Sequence, residues 1–285
     1  MLQISTVLSL CCLFVAGALD VVLKLYASSP RSRGVLIGGI GFFWVSMQLV
    51  TVYLRGVELT FDSTTVLYGS IAGVFVTASN IMLVESLGRL PVSLGSTIYR
   101  LNTVPLVLFA VLILGEDLSR LEFAGVVVAI VAVLILRPPR TSSNFAPIWL
   151  LIVIGASIIR AAYGLVTKYA LHHGADPDTM ILLAGIGWCF GGPLYALVRE
   201  SDLRRIGRDI AGYSIAGGVL VFGVVWLLTH ALRTGDASIV VPVTNMGFVA
   251  ALIFAIVAGM EKLDRRKLSG VCCAVIAVLL LNSDL

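Results

Sequence analysis

Charge is what this chain has least of. Asp, Glu, Lys and Arg make up 13% of its 285 residues, about half of the roughly 25% found in soluble domains. Apolar residues make up 59%, and the mean hydropathy is +1.02. No globular core of this length absorbs so much apolar sequence, so the remaining solvent is lipid. The chain also lacks any polar stretch long enough for a soluble domain, which excludes an extramembrane catalytic module. It has no Gly-x4-Gly-Lys-Ser/Thr run for nucleotide phosphates. It has no cluster of His, Asp or Glu at metal or nucleophile spacing, and His172-His173, in a loop, comes nearest. The expectation is a protein that is not an enzyme and carries no cofactor or metal. A channel, a non-transporting membrane subunit and, further off, a membrane-embedded enzyme are the competing readings.

Basic residues are also missing ahead of the first apolar run, and Asp20 and Lys24 follow it directly. Residues 1–26 therefore read as a retained first span rather than a cleaved leader, despite the small residues Ala16-Gly17-Ala18. The five cysteines lie inside apolar runs without disulfide or metal spacing and read as packing residues.

What is present is a series of runs of bilayer length. Ten spans are expected, at about 3–26, 34–54, 65–86, 91–114, 121–137, 145–170, 179–198, 210–232, 237–260 and 267–282. Loops after odd-numbered spans hold thirteen Lys or Arg and those after even-numbered spans hold three. The net charge of +4 therefore reads as an orienting bias in the bilayer, not a nucleic-acid surface. It places the odd loops in the cytoplasm and both termini outside.

The second half repeats the first. At an offset of 145 residues, Glu85–Leu136 aligns with His230–Leu281 without a gap, matching Ser93 with Ser238 and Glu116 with Glu261. Leu118, Arg120 and Gly125 meet Leu263, Arg265 and Gly270. Residues 1–140 and 141–285 thus read as two five-helix repeats. Five is an odd number, so the halves cross the membrane in opposite directions, a common construction of secondary transporters with a midplane site. The expected fold is an all-α integral membrane protein of ten transmembrane helices in two inverted five-helix repeats.

Pro105 is followed by an apolar stretch, by Gly115-Glu116 and by Gly125, and Gly164-Leu-Val-Thr-Lys168 ends span six. With these residues the chain resembles the drug/metabolite transporter superfamily, in its EamA-type members. The pattern departs where Asp20 stands for Gly164, Ala250 for Pro105 and Met260 for Gly115. The resemblance implies solute transport, often export, of metabolites such as amino acids.

Polar residues inside spans mark the candidate site, because ionisable groups there usually face the bundle interior or a watery cavity. Ser93, Ser96, Thr97, Arg100 and Thr103 share one face of span four and read as cavity lining with Arg100 near mid-span; the alternative is a helix–helix contact in which Arg100 pairs with Glu85 or Asp20. Trp44 and Gln48 in span two, Thr77 and Asn80 in span three, Arg160 in span six, Trp226 in span eight and Asn245 in span nine complete the expected cavity lining. Trp188 reads instead as an interfacial anchor. Asp20, Lys24, Lys168 and His230 are candidates for coupling or gating. Asp20 is the best candidate proton carrier, although Lys24 one turn away favours a salt bridge between the two. The excess of Lys and Arg favours a small solute with a carboxylate or phosphate, such as an amino acid or organic anion, carried across the cytoplasmic (inner) membrane by alternating access. Any coupled proton or other ion, and a monomer or a homodimer, fit equally well.

Overall fold

The computed structural model describes residues 4–109, 119–136, 147–200, 209–234 and 243–281. These form eleven helices and no strand among the described residues: α1 (Ile4–Ala27), α2 (Arg33–Arg55), α3 (Ser63–Leu87), α4 (Val92–Arg100), α5 (Thr103–Phe109), α6 (Arg120–Leu136), α7 (Ile148–His172), α8 (Pro177–Arg199), α9 (Ile210–Thr234), α10 (Gly247–Val257) and α11 (Arg265–Leu281). Six of them are long and apolar enough to cross a membrane. Helix starts are fixed locally. Ser32, Asp62 and Asp176 each accept a hydrogen bond from the amide three residues on, and Pro177 supplies a first-turn position needing no N–H.

Two expected spans are interrupted. Span four, read as one helix, breaks between α4 and α5 at Leu101-Asn102. Pro105 explains the position: it has no N–H for the Leu101 carbonyl, and its ring crowds that same carbonyl. The chain recovers with Val104 N donating to Leu101 O at 3.0 Å. Span nine is interrupted at Met246, just ahead of α10. Val249 N donates to Met246 O at 2.9 Å, the same bond 145 residues on, although Ala250 stands where a proline would.

Packing is paired in the same register. α2 packs on α8 and α6 on α11, while α3 with α7 is matched by α1 with α9, and α3 with α8 by α2 with α9. The α2–α8 seam is a near-contact of backbones. A side chain on Gly34 would lie 2.7 Å from Ala196 N and collide with the Gly192 carbonyl, so only glycine permits this approach. Trp188 is buried in that seam at 2% exposure. It meets Trp44 edge to face with ring centroids 5.8 Å apart. The anchor reading of Trp188 is thereby corrected: the glycines let α2 close over it. Trp44 is likewise a core residue here, not a cavity wall.

Candidate functional site

The two interruptions face each other in the middle of the bundle. Arg100 ends α4, and its guanidinium donates to the Ala16 carbonyl at 3.3 Å and to the Asp20 carboxylate at 3.3 and 3.4 Å. Ser96, one turn earlier in α4, donates to the same carboxylate. Asp20 is 1% exposed. The Arg100 guanidinium also rests on the start of α10, where a Cβ on Gly247 would sit 3.4 Å from its Cζ. Asn245, just before that break, donates to Thr103 Oγ1 at 3.2 Å. Thr97 bonds back to the Ser93 carbonyl at 2.6 Å. Arg160 of α7 stands beside this cluster, its Cζ 5.8 Å from the Tyr99 ring and 5.1 Å from the Tyr163 ring. Asp20, Ser96, Thr97, Arg100, Thr103, Arg160 and Asn245 are thus gathered as their spacing suggests.

The Asp20–Lys24 salt bridge is not formed. Lys24 Nζ instead donates to the carbonyls of Leu87 and Leu90 at 2.6 and 2.9 Å. It thereby closes the end of α3, where unpaired carbonyls attract a cation. Asp20 pairs with Arg100, as in the helix-contact alternative. Glu85, the other candidate, is taken by Arg33 and by Tyr195, whose hydroxyl donates at 2.8 Å.

Thr77 and Asn80 serve the helices rather than a cavity. Thr77 Cγ2 would lie 2.7 Å from a Cβ on Gly191 of α8, and Asn80 Nδ2 donates to the Val76 carbonyl at 2.8 Å. Gln48 is buried against Asp178, donating to its Oδ1 at 3.2 Å, and Arg55 reaches the same oxygen at 3.1 Å. Trp226 lies on the exposed stripe of α9 with Ile215 and Val219. It stacks on His230 at 3.8 Å between centroids, so both sit at the bundle surface. They edge a groove at the mouth of α2, α8 and α9 that Gln48, Arg55 and Asp178 also line. The side chain of Lys168, and residues Gly115, Glu116, Ser238 and Pro242, lie outside the described residues.

The sequence reading missed the two carboxylates that cap helices of the opposite half. Glu261, in the loop after α10, accepts from Ser93 N at 3.0 Å and Ser93 Oγ at 2.6 Å, and pairs with Lys267 at 2.9 Å. It therefore caps α4 where the helix dipole favours an anion. Burial opposes its ionisation, but the bonds from Ser93 and Lys267 outweigh that and hold its carboxyl below the usual value. Glu200 accepts from the amides of Arg33 and Gly34 at 2.8 and 3.2 Å and so caps α2. The alignment of Ser93 with Ser238 and of Glu116 with Glu261 pointed to these loops without saying what they touch.

Among the described residues, six apolar helices of spanning length, with two further spans broken beside a buried ion pair, are the build of a multi-pass membrane protein. Residues 147–283, in the second half of the chain, match the EamA-like transporter family, which supports membership of the drug/metabolite transporter superfamily. The match points to a membrane transporter of that type, which implies a small-molecule solute and the lipid bilayer as partners. No curated protein matches its sequence. A solved structure titled only as the crystal structure of a protein is similar over 97% of this chain and 95% of that one. It has 15% identity and a TM-score of 0.70, a likeness of fold. Among the described residues no group of His, Cys, Asp and Glu is placed to hold a metal.

Proposed function

We propose that the protein is a secondary transporter that moves a small polar metabolite bearing an oxyanion, an amino acid or organic anion, across the cytoplasmic membrane by alternating access. The observation that carries this is the meeting of the two interrupted helices at Arg100, Asp20 and Arg160. Broken helices at corresponding places in two halves are how carriers build a midplane site. Two arginines against one carboxylate leave that place net positive, which favours an anion over a cation. The paired packing of α1 with α9 and α3 with α7, and the matched bonds at Leu101 and Met246, support two inverted halves at 1–140 and 141–285. The basic excess in the odd-numbered loops supports a cytoplasmic position for the end where α1 passes into α2, with both termini outside. Any coupled proton or other ion would act on the same cluster.

The test is flux in proteoliposomes loaded with a panel of labelled carboxylates and organic phosphates, with and without an imposed pH gradient. A carrier gives saturable uptake that accelerates when unlabelled solute is present on the far side. Linear flux without such counterflow would mean a pore, and no flux of any panel member would remove the carrier reading.

A further inference from the structure

We infer that Arg160, not Arg100, receives the anionic group of the solute, in a cavity that opens beside Gly164. The proposal rests on the carrier reading above and divides the labour between its two arginines.

The faces of α7 carry the argument. Leu151, Ile154 and Ile158, three and four residues apart, are exposed and apolar, so they form the lipid side. Val153, Ser157, Arg160 and Gly164 are spaced four, three and four apart and share the opposite, inward face. Val153 and Ser157 are buried on that face, at 0% and 5% exposure. Gly164 is exposed, and a Cβ built on it would meet none of the described residues within 4 Å. The inward face of α7 therefore closes up to Ser157 and opens one turn past Arg160, toward the end where α7 passes into α8.

The two guanidiniums differ in what holds them. Arg100 is committed to Asp20 and the Ala16 carbonyl. Arg160 lies against the rings of Tyr99 and Tyr163, and among the described residues no ion pair includes it. Ring faces steady a cation without neutralising it. A second cation beside a carboxylate already paired with Arg100 is costly inside a membrane protein, and an incoming carboxylate or phosphate removes that cost while binding in the two-pronged geometry a guanidinium offers. Tyr99, itself 4% exposed, links the site to the break in α4, since it immediately precedes Arg100. An anion drawn to Arg160 therefore pulls on the segment that carries the Asp20–Arg100 pair.

The experiment needs no knowledge of the solute. Gly164→Cys is made in a background without the five native cysteines and reconstituted in proteoliposomes. Its modification is timed with an anionic and a cationic methanethiosulfonate, each normalised to its rate on a free thiol. The expected result is reaction of both, with the anionic reagent favoured by about tenfold, as a unit charge nearby dictates. Adding Arg160→Gln should bring the ratio near one, and Arg160→Lys should retain it. Silence of the introduced thiol toward both reagents, or a preference that survives Arg160→Gln, overturns the inference. A preference that behaves as expected while no anionic solute shows counterflow would spare the site and remove the carrier reading instead. Counterflow unchanged by Arg160→Gln would spare the carrier and remove the site.

Discussion

The two ends of the bundle are held by different means. At the end where α1 passes into α2, Glu85, Glu200 and Glu261 each join elements far apart in the chain, through Arg33 and Tyr195, the start of α2, and the start of α4. Lys24 adds a tie from α1 to the end of α3. At the opposite end Asp62 and Asp176 mostly serve their own helices, bonding to Thr65 and Thr179. There Asp178 with Arg55 and Gln48, and Asp176 N with Thr65 Oγ1 at 2.9 Å, reach further. The difference teaches which end is tied across distant parts of the chain. Carboxylates that bridge halves must let go before those halves can part, whereas local caps travel with their helices.

The comparison breaks most visibly at Arg33. Arg33→Ala strands Glu85, whose side chain is 16% exposed, with Tyr195 as its remaining partner. The expected cost is about 3 kcal/mol, near the low end for removing one member of a buried pair, read as a lowered midpoint of unfolding in detergent. A midpoint equal to wild type would show that this end is not under load.

Glu261 sharpens the contrast through pH. Its value in the folded protein lies below the ordinary 4.5, so its contribution is present above that value and fades as pH falls through the folded one. Glu261→Gln should lower stability at pH 7 by about 1–2 kcal/mol, and the gap to wild type should narrow progressively below pH 4.5. A gap constant with pH would mean that the charge on Glu261 contributes nothing. Asp62→Ala, at the opposite end, should have the smallest effect. The Thr65 hydroxyl and amide hold the Asp62 carboxyl below its usual value, yet the group is exposed and bonded within its own helix. A small drop in the melting curve, the ordinary cost of losing a helix cap, is expected, and a drop as large as that of Arg33→Ala would erase the difference between the ends.

Much of this was legible in the sequence because lipid imposes a length on each apolar run and a face on each polar residue. The stripe from Ser93 to Arg100 left Glu85 and Asp20 open as partners, since a mid-span cation needs an anion near its own depth. The breaks at Leu101 and Met246 were not legible from hydropathy, which registers side chains and ignores the backbone; Pro105 was the available signal for the first. Lys24 escaped because its acceptors are the carbonyls of Leu87 and Leu90, and every residue has a carbonyl. Trp188 and Trp226 exchanged their expected places for a similar reason. An indole suits a core, a cavity or a membrane surface, and its neighbours decide which. Beside Trp188 they are the glycines of the α2–α8 seam, and beside Trp226 they are Ile215 and Val219.

The same seam gives the protein a built-in optical contrast. Trp44 and Trp188 are sealed between α2 and α8, both 2% exposed and with neither indole N–H bonded to protein, while Trp226 lies at the surface. A water-borne quencher should leave the sealed pair bright, and a quencher dissolved in lipid should dim Trp226 first. Movement of α2 against α8 would then announce itself as a colour shift in the protein's own emission, without any label attached.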